Sequence, residues 1–202
     1  MSTTPGLFYT EQISTGLCAA QVIGLTTTAF LAGKTFTQSA SATPALLEAP
    51  APLLARQWRR LTNNTSSDRL IAPAVALIHT GVFGYLAYKE PSGSRTGYLY
   101  TTSASLLALL LPYTALLAGP IVQKLDRKAE DLSGASLTDS KLEEGIAQEE
   151  TVHGLLDQWA LINLGGSLIS GLGAVLAAWA VVDRVIAVPA GIKFASGANR
   201  LG

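Results

Sequence analysis

Charged residues are scarce in this chain: Asp, Glu, Lys and Arg make up only 14% of its 202 residues, against about 25% in an ordinary soluble domain. A surface facing water needs charge, and a surface facing lipid excludes it. The deficit therefore argues against a soluble protein more strongly than the apolar fraction does. Cysteine is scarcer still. Cys18 stands alone, which excludes a disulfide within the chain and any cysteine metal cluster. Set in an apolar stretch, it is expected to be a small buried residue. Neither sign of charge dominates, with 14 basic and 14 acidic side chains, so no global electrostatic partner follows. The lack of a basic face interleaved with aromatics argues against nucleic acid. No basic segment precedes the first apolar stretch, which is longer than a signal-peptide core. That stretch is expected to be retained as a membrane helix. Phosphate loops, nucleophile elbows, zinc signatures and haem-attachment motifs are missing.

What the chain does have is apolar runs of membrane-spanning length, about 20 residues each. They lie at about 13–33, 70–88, 98–122 and 155–182. Four such runs in so short a chain leave little polar surface for a soluble bundle. The sequence predicts an all-α integral membrane protein: a single four-span domain over residues 1–202, folded as an up-down bundle. Between spans one and two, Pro44, Pro50 and Pro52 are expected to break any long helix. Leu53, Leu54, Gln57, Trp58 and Leu61 then recur at helical spacing, with Arg56, Arg59 and Arg60 between them. This predicts a short amphipathic surface helix, with Trp58 at headgroup depth and the arginines reaching lipid phosphates. Residues 89–97 read as a plain turn. The charged segment 123–150 is expected to extend the third helix, turn near Ser133 and Gly134, and return as the start of the fourth.

Nine of the Lys and Arg residues fall in the two long loops and five elsewhere. The positive-inside rule then puts the long loops in the cytosol and both termini opposite. Asn63 and Asn64 open overlapping glycosylation sequons, which this topology would leave unmodified. Small residues recur every four positions at Gly16, Ala20, Gly24, Thr28 and Ala32, and again at Gly166, Ser170, Ala174 and Ala178. That spacing lets membrane helices approach closely.

Polar side chains at membrane depth are few, and such groups usually face the bundle interior. Span three opens with Thr101, Thr102, Ser103 and Ser105, and carries Tyr113 and Thr114 after Pro112. Trp159, Asn163 and Ser167 share one face of span four. His79 is the only histidine well within a span. It is either hydrogen-bonded to a neighbouring helix or a proton acceptor, since imidazole titrates near neutral pH. His153, among acids at the head of span four, reads as a solvated interfacial residue. With no membrane-depth carboxylate, neither a metal site nor an ion-coupled transporter is favoured.

The order Leu111-Pro112-Tyr113-Thr114, Gly119-Pro120, Gln123-Lys124-Leu125, then Leu155-Leu156-Asp157-Gln158-Trp159, Leu161 and Asn163 resembles the anthrone oxygenase family. These are small four-helix membrane proteins of polyketide pathways. Ser39-Ala40-Ser41, Pro44, Leu46 and Gln57-Trp58 agree more loosely. Two positions depart: family members tend to carry Asn where Val122 stands and Arg where Gly166 stands. The resemblance implies oxidation of an anthrone-type aromatic polyketide to a quinone, with dioxygen as co-substrate and no flavin or metal, in an endomembrane such as the endoplasmic reticulum. It implies His79 as base, Asn163 and Tyr113 as hydrogen-bond donors, and Trp159, Thr114 and Trp58 as substrate contacts. Lipid, the polyketide and soluble pathway enzymes are the expected partners. The competing expectation is a non-catalytic scaffold that recruits partners through its charged loops.

Overall fold

A computed structural model describes residues 14–62, 68–139 and 143–186. Asn63 and Asn64, and the chain ends that enter the charge count, lie outside the described residues. The described residues form helices joined by turns, with no strand among them. Helix α1 (Thr15–Thr37) passes through a π-helical turn (Gln38–Ala42) into the short α2 (Thr43–Leu46). There follow α3 (Ala51–Thr62), α4 (Asp68–Lys89) and α5 (Arg95–Tyr113). A second π-helical turn (Thr114–Ala118) leads into α6 (Gly119–Asp131), and a 3₁₀ turn (Gln148–Glu150) precedes α7 (Val152–Ile186). Four continuous helical stretches are long and apolar enough to cross a membrane: Thr15–Leu46, Leu70–Lys89, Arg95–Gly134 and Val152–Asp183. Each expected span overlaps one of them. Neighbours in the bundle run α1, α4, α5, α7 and back to α1, the ring of an up-down arrangement. The protein is a multi-pass membrane protein.

At about 1.5 Å per residue, α4 roughly matches the ~30 Å hydrocarbon layer and the other three overshoot it. All three overshoot at the end that bears the long loops. There they build a cap, in which Ala51, Leu54, Ala55 and Trp58 of α3 pack on Leu125 and Ala129 of α6 and on Val152, Leu155, Leu156 and Trp159 of α7. The amphipathic helix stands where the sequence puts it, but its apolar face is covered by protein. Trp58 is fully buried, edge-on to Trp159 at 6.3 Å between ring centroids, so protein covers the ring expected to face the headgroups. Arg56 donates to the Ser133 carbonyl at 2.6 Å and Arg59 to Glu130 at 3.3 Å. The overshooting α6 supplies these partners in place of lipid phosphates.

Pro44 does not end the first helix, contrary to expectation. A proline ring clashes with the carbonyl four residues back and cannot donate to it. The π turn just before removes the conflict by widening the helix, and the Thr43 N–H reaches five residues back to the Gln38 carbonyl. The same device recurs before Pro120, where the Gly119 N–H reaches the Thr114 carbonyl. The chain does turn after α3's preceding helix at Leu47–Pro50, and Pro52 sits in the first turn of α3. The charged loop turns near Ser133 and Gly134 as expected, but α7 begins only at Val152. Cys18 is exposed on the outside of α1, facing the lipid, where an apolar thiol is equally at home; the expectation of burial was wrong. Of the small-residue stripes, Gly24 marks a tight approach and Gly166 an ordinary packing contact. A Cβ on Gly24 would stand 3.1 Å from the Phe83 ring, and one on Gly166 would stand 3.5 Å from Leu110.

Candidate functional site

The polar side chains sort into two layers along the bundle. In the upper layer His79 of α4 is fully buried midway along its helix. Its Nδ1 lies 2.9 Å from the Thr28 hydroxyl of α1 and its Nε2 2.7 Å from the Ser103 hydroxyl of α5. The Thr28 hydroxyl donates to the Gly24 carbonyl at 2.7 Å. The Ser103 hydroxyl donates across the bundle to the Gly173 carbonyl of α7 at 2.6 Å. One chain of polar atoms therefore joins all four spans. Phe83 covers the imidazole at 4.4 Å between ring centroids and stacks on Tyr100 at 5.8 Å, whose hydroxyl accepts from Gln21 at 3.4 Å.

The polar chain through His79 has four contacts. A neutral imidazole brings one N–H and the two hydroxyls bring one hydrogen each, so three hydrogens serve four contacts. A protonated ring supplies the fourth without any heavy atom moving.

The lower layer lies nearer the cap. Asn163 of α7 donates from its side-chain amide to the Thr35 carbonyl at 3.0 Å and to the Ser39 hydroxyl at 2.9 Å, pinning α7 to the first π turn. The Tyr113 hydroxyl donates to the Ile162 carbonyl at 2.9 Å. Its approach requires Gly165, because a Cβ there would collide with the phenol oxygen. Thr114, the first residue of the second π turn, donates to the Leu110 carbonyl at 2.9 Å. Between the two π turns is a cavity of about 50 Å³ lined by Leu31, Thr35, Ala72, Thr114, Asn163 and Gly166, among others. Trp159, one turn from Asn163, belongs to the cap beneath.

The structure brings Asn163, Tyr113 and Thr114 together, and it sets His79 apart from them. Gly173 and Asn163 are ten residues apart on α7, about 15 Å along the axis. The same offset separates Ser103 from Tyr113. Leu31, Ala76, Leu107 and Leu110 pack in the interval. Three of these stand one turn along their helices from a member of the polar chain: Leu31 from Thr28, Ala76 from His79 and Leu107 from Ser103. Trp58 and Trp159 meet each other in the cap and do not meet the histidine. Thr28, Gln21 and Tyr100 escaped the sequence reading. Their signal was present: Gln21 and Thr28 are seven residues apart, two turns of one face, in a span without charge. Among the described residues no three His, Cys, Asp or Glu side chains converge.

Fold and site together define a small multi-pass membrane protein whose spans close around a hydrogen-bonded polar centre. The family model for anthrone oxygenase matches residues 64–176, more than half of the chain, so this protein belongs to the anthrone oxygenase family. The match takes in His79, Tyr113, Thr114, Trp159 and Asn163. An anthrone oxygenase of Aspergillus fumigatus, encC, is 27% identical over 173 residues, covering 80% of this chain and 92% of its own length. No solved structure matches. Of the two departing positions, Gly166 lines the cavity and Val122 packs against the cap.

Proposed function

We propose that this protein oxidises an anthrone-type aromatic polyketide to the quinone with dioxygen, without flavin or metal, in an endomembrane such as the endoplasmic reticulum. Family membership supports the reaction class. The observation that carries the reading to particular residues is the placement of His79, buried at mid-span between the Thr28 and Ser103 hydroxyls. The methylene proton of an anthrone is acidic, because its loss gives an aromatic anthrolate, and a base of near-neutral strength suffices. His79 takes that proton, and its two ring N–H groups then donate to the Thr28 and Ser103 hydroxyls, which keep their carbonyls. The anthrolate passes one electron to dioxygen, and the two radicals join at the same carbon as a peroxide. Loss of water leaves the second carbonyl. One CH₂ and one O₂ thus become one C=O and one H₂O, with the proton returning from His79 to the departing oxygen. Asn163 and Tyr113 act as hydrogen-bond donors toward the substrate oxygens, and Thr114, Trp159 and Trp58 frame the ring system.

The 50 Å³ cavity is far below the ~300–1,000 Å³ of small-molecule pockets. It has room for dioxygen or a water. A flat tricycle enters only if the leucines between the layers give way. That packed interior favours a second reading, a membrane scaffold that holds soluble pathway enzymes through its charged loops. One measurement separates the two. Purified protein in vesicles is given an anthrone and dioxygen, and quinone formation is compared with protein-free vesicles. Acceleration that disappears in His79→Ala supports the oxygenase. A rate equal to that of empty vesicles leaves the scaffold.

A further inference from the structure

The cavity between the two π turns reaches up toward the polar chain through His79. Leu31 on its α1 wall stands three residues from Thr28, and Ser170 on its α7 wall stands three residues from Gly173, whose carbonyl accepts from Ser103. Three residues of helix rise about 4.5 Å. On two of the four spans the cavity therefore comes within one turn of the polar chain, although Asn163 at its other end lies far from His79.

The volume of about 50 Å³ sets the size of an occupant. An apolar cavity that admits benzene has about 150 Å³, so a diatomic or a single water is the size that fits. The wall decides between these two. Leu31, Leu110 and Ile162 make it largely apolar. Its polar side chains aim their hydrogens at protein. The Thr35, Thr114 and Ser170 hydroxyls donate to the Leu31, Leu110 and Gly166 carbonyls, and the Asn163 amide donates to the Thr35 carbonyl and the Ser39 hydroxyl. A buried water needs two to four polar partners, and on these groups it would meet acceptors and no free hydrogen. Dioxygen needs no partner. As an apolar molecule it prefers hydrocarbon to water, so the bilayer itself supplies it.

We propose that this cavity is the dioxygen pocket, holding one O₂ within a helical turn of the polar chain that carries the base. The inference rests on the oxygenase reading for its purpose and deepens it, since it gives the co-substrate a place of its own.

The test reads dioxygen directly, because O₂ is paramagnetic and speeds the relaxation of nearby methyl protons. The full chain in lipid nanodiscs is measured by NMR under oxygen and under argon. The methyls of Leu31 and Leu110 are expected to gain more relaxation from oxygen than those of Leu86 and Leu125, which are equally buried but line no part of the cavity. Ala72→Leu, which fills the cavity, is expected to remove the excess. Ala74→Leu, exposed on the same helix, is expected to leave it. Equal enhancement at all four leucines overturns the proposal. So does an excess that survives Ala72→Leu. A water signal at Leu31 and Leu110 with no excess under oxygen would mark a water site and overturn it too. Turnover supplies a second readout: Ala72→Leu is expected to raise the KM for dioxygen roughly tenfold, and a rise in the KM for the anthrone alone overturns the assignment. Protein that shows the excess but forms no quinone keeps the pocket and loses the oxygenase reading. Protein that forms quinone without the excess does the reverse.

Discussion

The two polar layers solve the same problem in opposite ways. In hydrocarbon every polar group needs a partner from the protein. The upper layer meets this within regular helices: Thr28, His79 and Ser103 link side chain to side chain, and the two hydroxyls end on the Gly24 and Gly173 carbonyls. The lower layer meets it by bending the helices. Two π turns each lead into an X-Pro pair; Asn163 gathers the Thr35 carbonyl and the Ser39 hydroxyl at the first of them, and a cavity remains. The upper layer thus holds a buried imidazole among hydroxyls, and the lower layer borders a small cavity lined by Thr114 and Asn163. Chemistry on an anthrone requires both to act on one molecule.

The largest expected effect is at the upper layer. His79→Ala is expected to lower anthrone oxidation by about 100-fold or more, the usual contribution of a positioned base. The variant should still fold, because Thr28 and Ser103 each keep a backbone carbonyl to donate to. Oxidation at the wild-type rate would show that the upper layer only holds helices together.

Ala72→Leu probes whether the lower cavity belongs to the same site. Ala72 lines it from α4, and the larger side chain fills it without removing any hydrogen bond. If substrate or dioxygen uses the cavity, turnover drops by roughly tenfold or more, as small misplacements at reacting centres do, while the melting temperature holds or rises. Unchanged turnover would make the cavity a packing void and leave the two layers functionally separate.

Asn163→Leu should reveal the lower layer's structural share. It removes two interhelical hydrogen bonds, which in membranes contribute about 1–2 kcal/mol together at most. Unfolding in mixed micelles would measure it against Ser103→Ala, which cuts the upper chain. A much larger loss at Asn163 would mean that the π turns depend on it.

The four spans were legible because charge depletion and run length are properties of composition, and lipid enforces them regardless of tertiary detail. The members of the lower site, Tyr113, Thr114 and Asn163, were legible through their order along the chain. Their distance from His79 was not, since a depth estimate along one helix does not give register between helices. The prolines misled for a physical reason. Pro44 reads as a helix breaker by its ring and its missing N–H, yet a π turn absorbs both. Trp58 misled because an amphipathic face at a membrane boundary fits lipid and a protein cap equally well, and only the overshoot of α6 and α7 decides between them.

The smallest effect tests that last point. The Trp58 indole N–H is buried with no acceptor among the described residues, in a cap otherwise built of apolar side chains and the edge of Trp159. An unpaired buried donor costs about 1–3 kcal/mol, partly offset by the packing of the large ring. Trp58→Phe removes the donor and keeps an aromatic body against Trp159, at the loss of some contact area. The two terms nearly cancel, with a net gain of up to about 1 kcal/mol expected if the donor is unpaired in the empty protein. Thermal unfolding in micelles measures it. A clear destabilisation would mean that the packing of the indole outweighs its unpaired donor, and quinone product added to wild type and variant alike tests whether product supplies an acceptor. If product raises the melting temperature of the wild type and not of Trp58→Phe, the cap reaches the substrate, and the site extends from His79 through the cavity to the loop-bearing end.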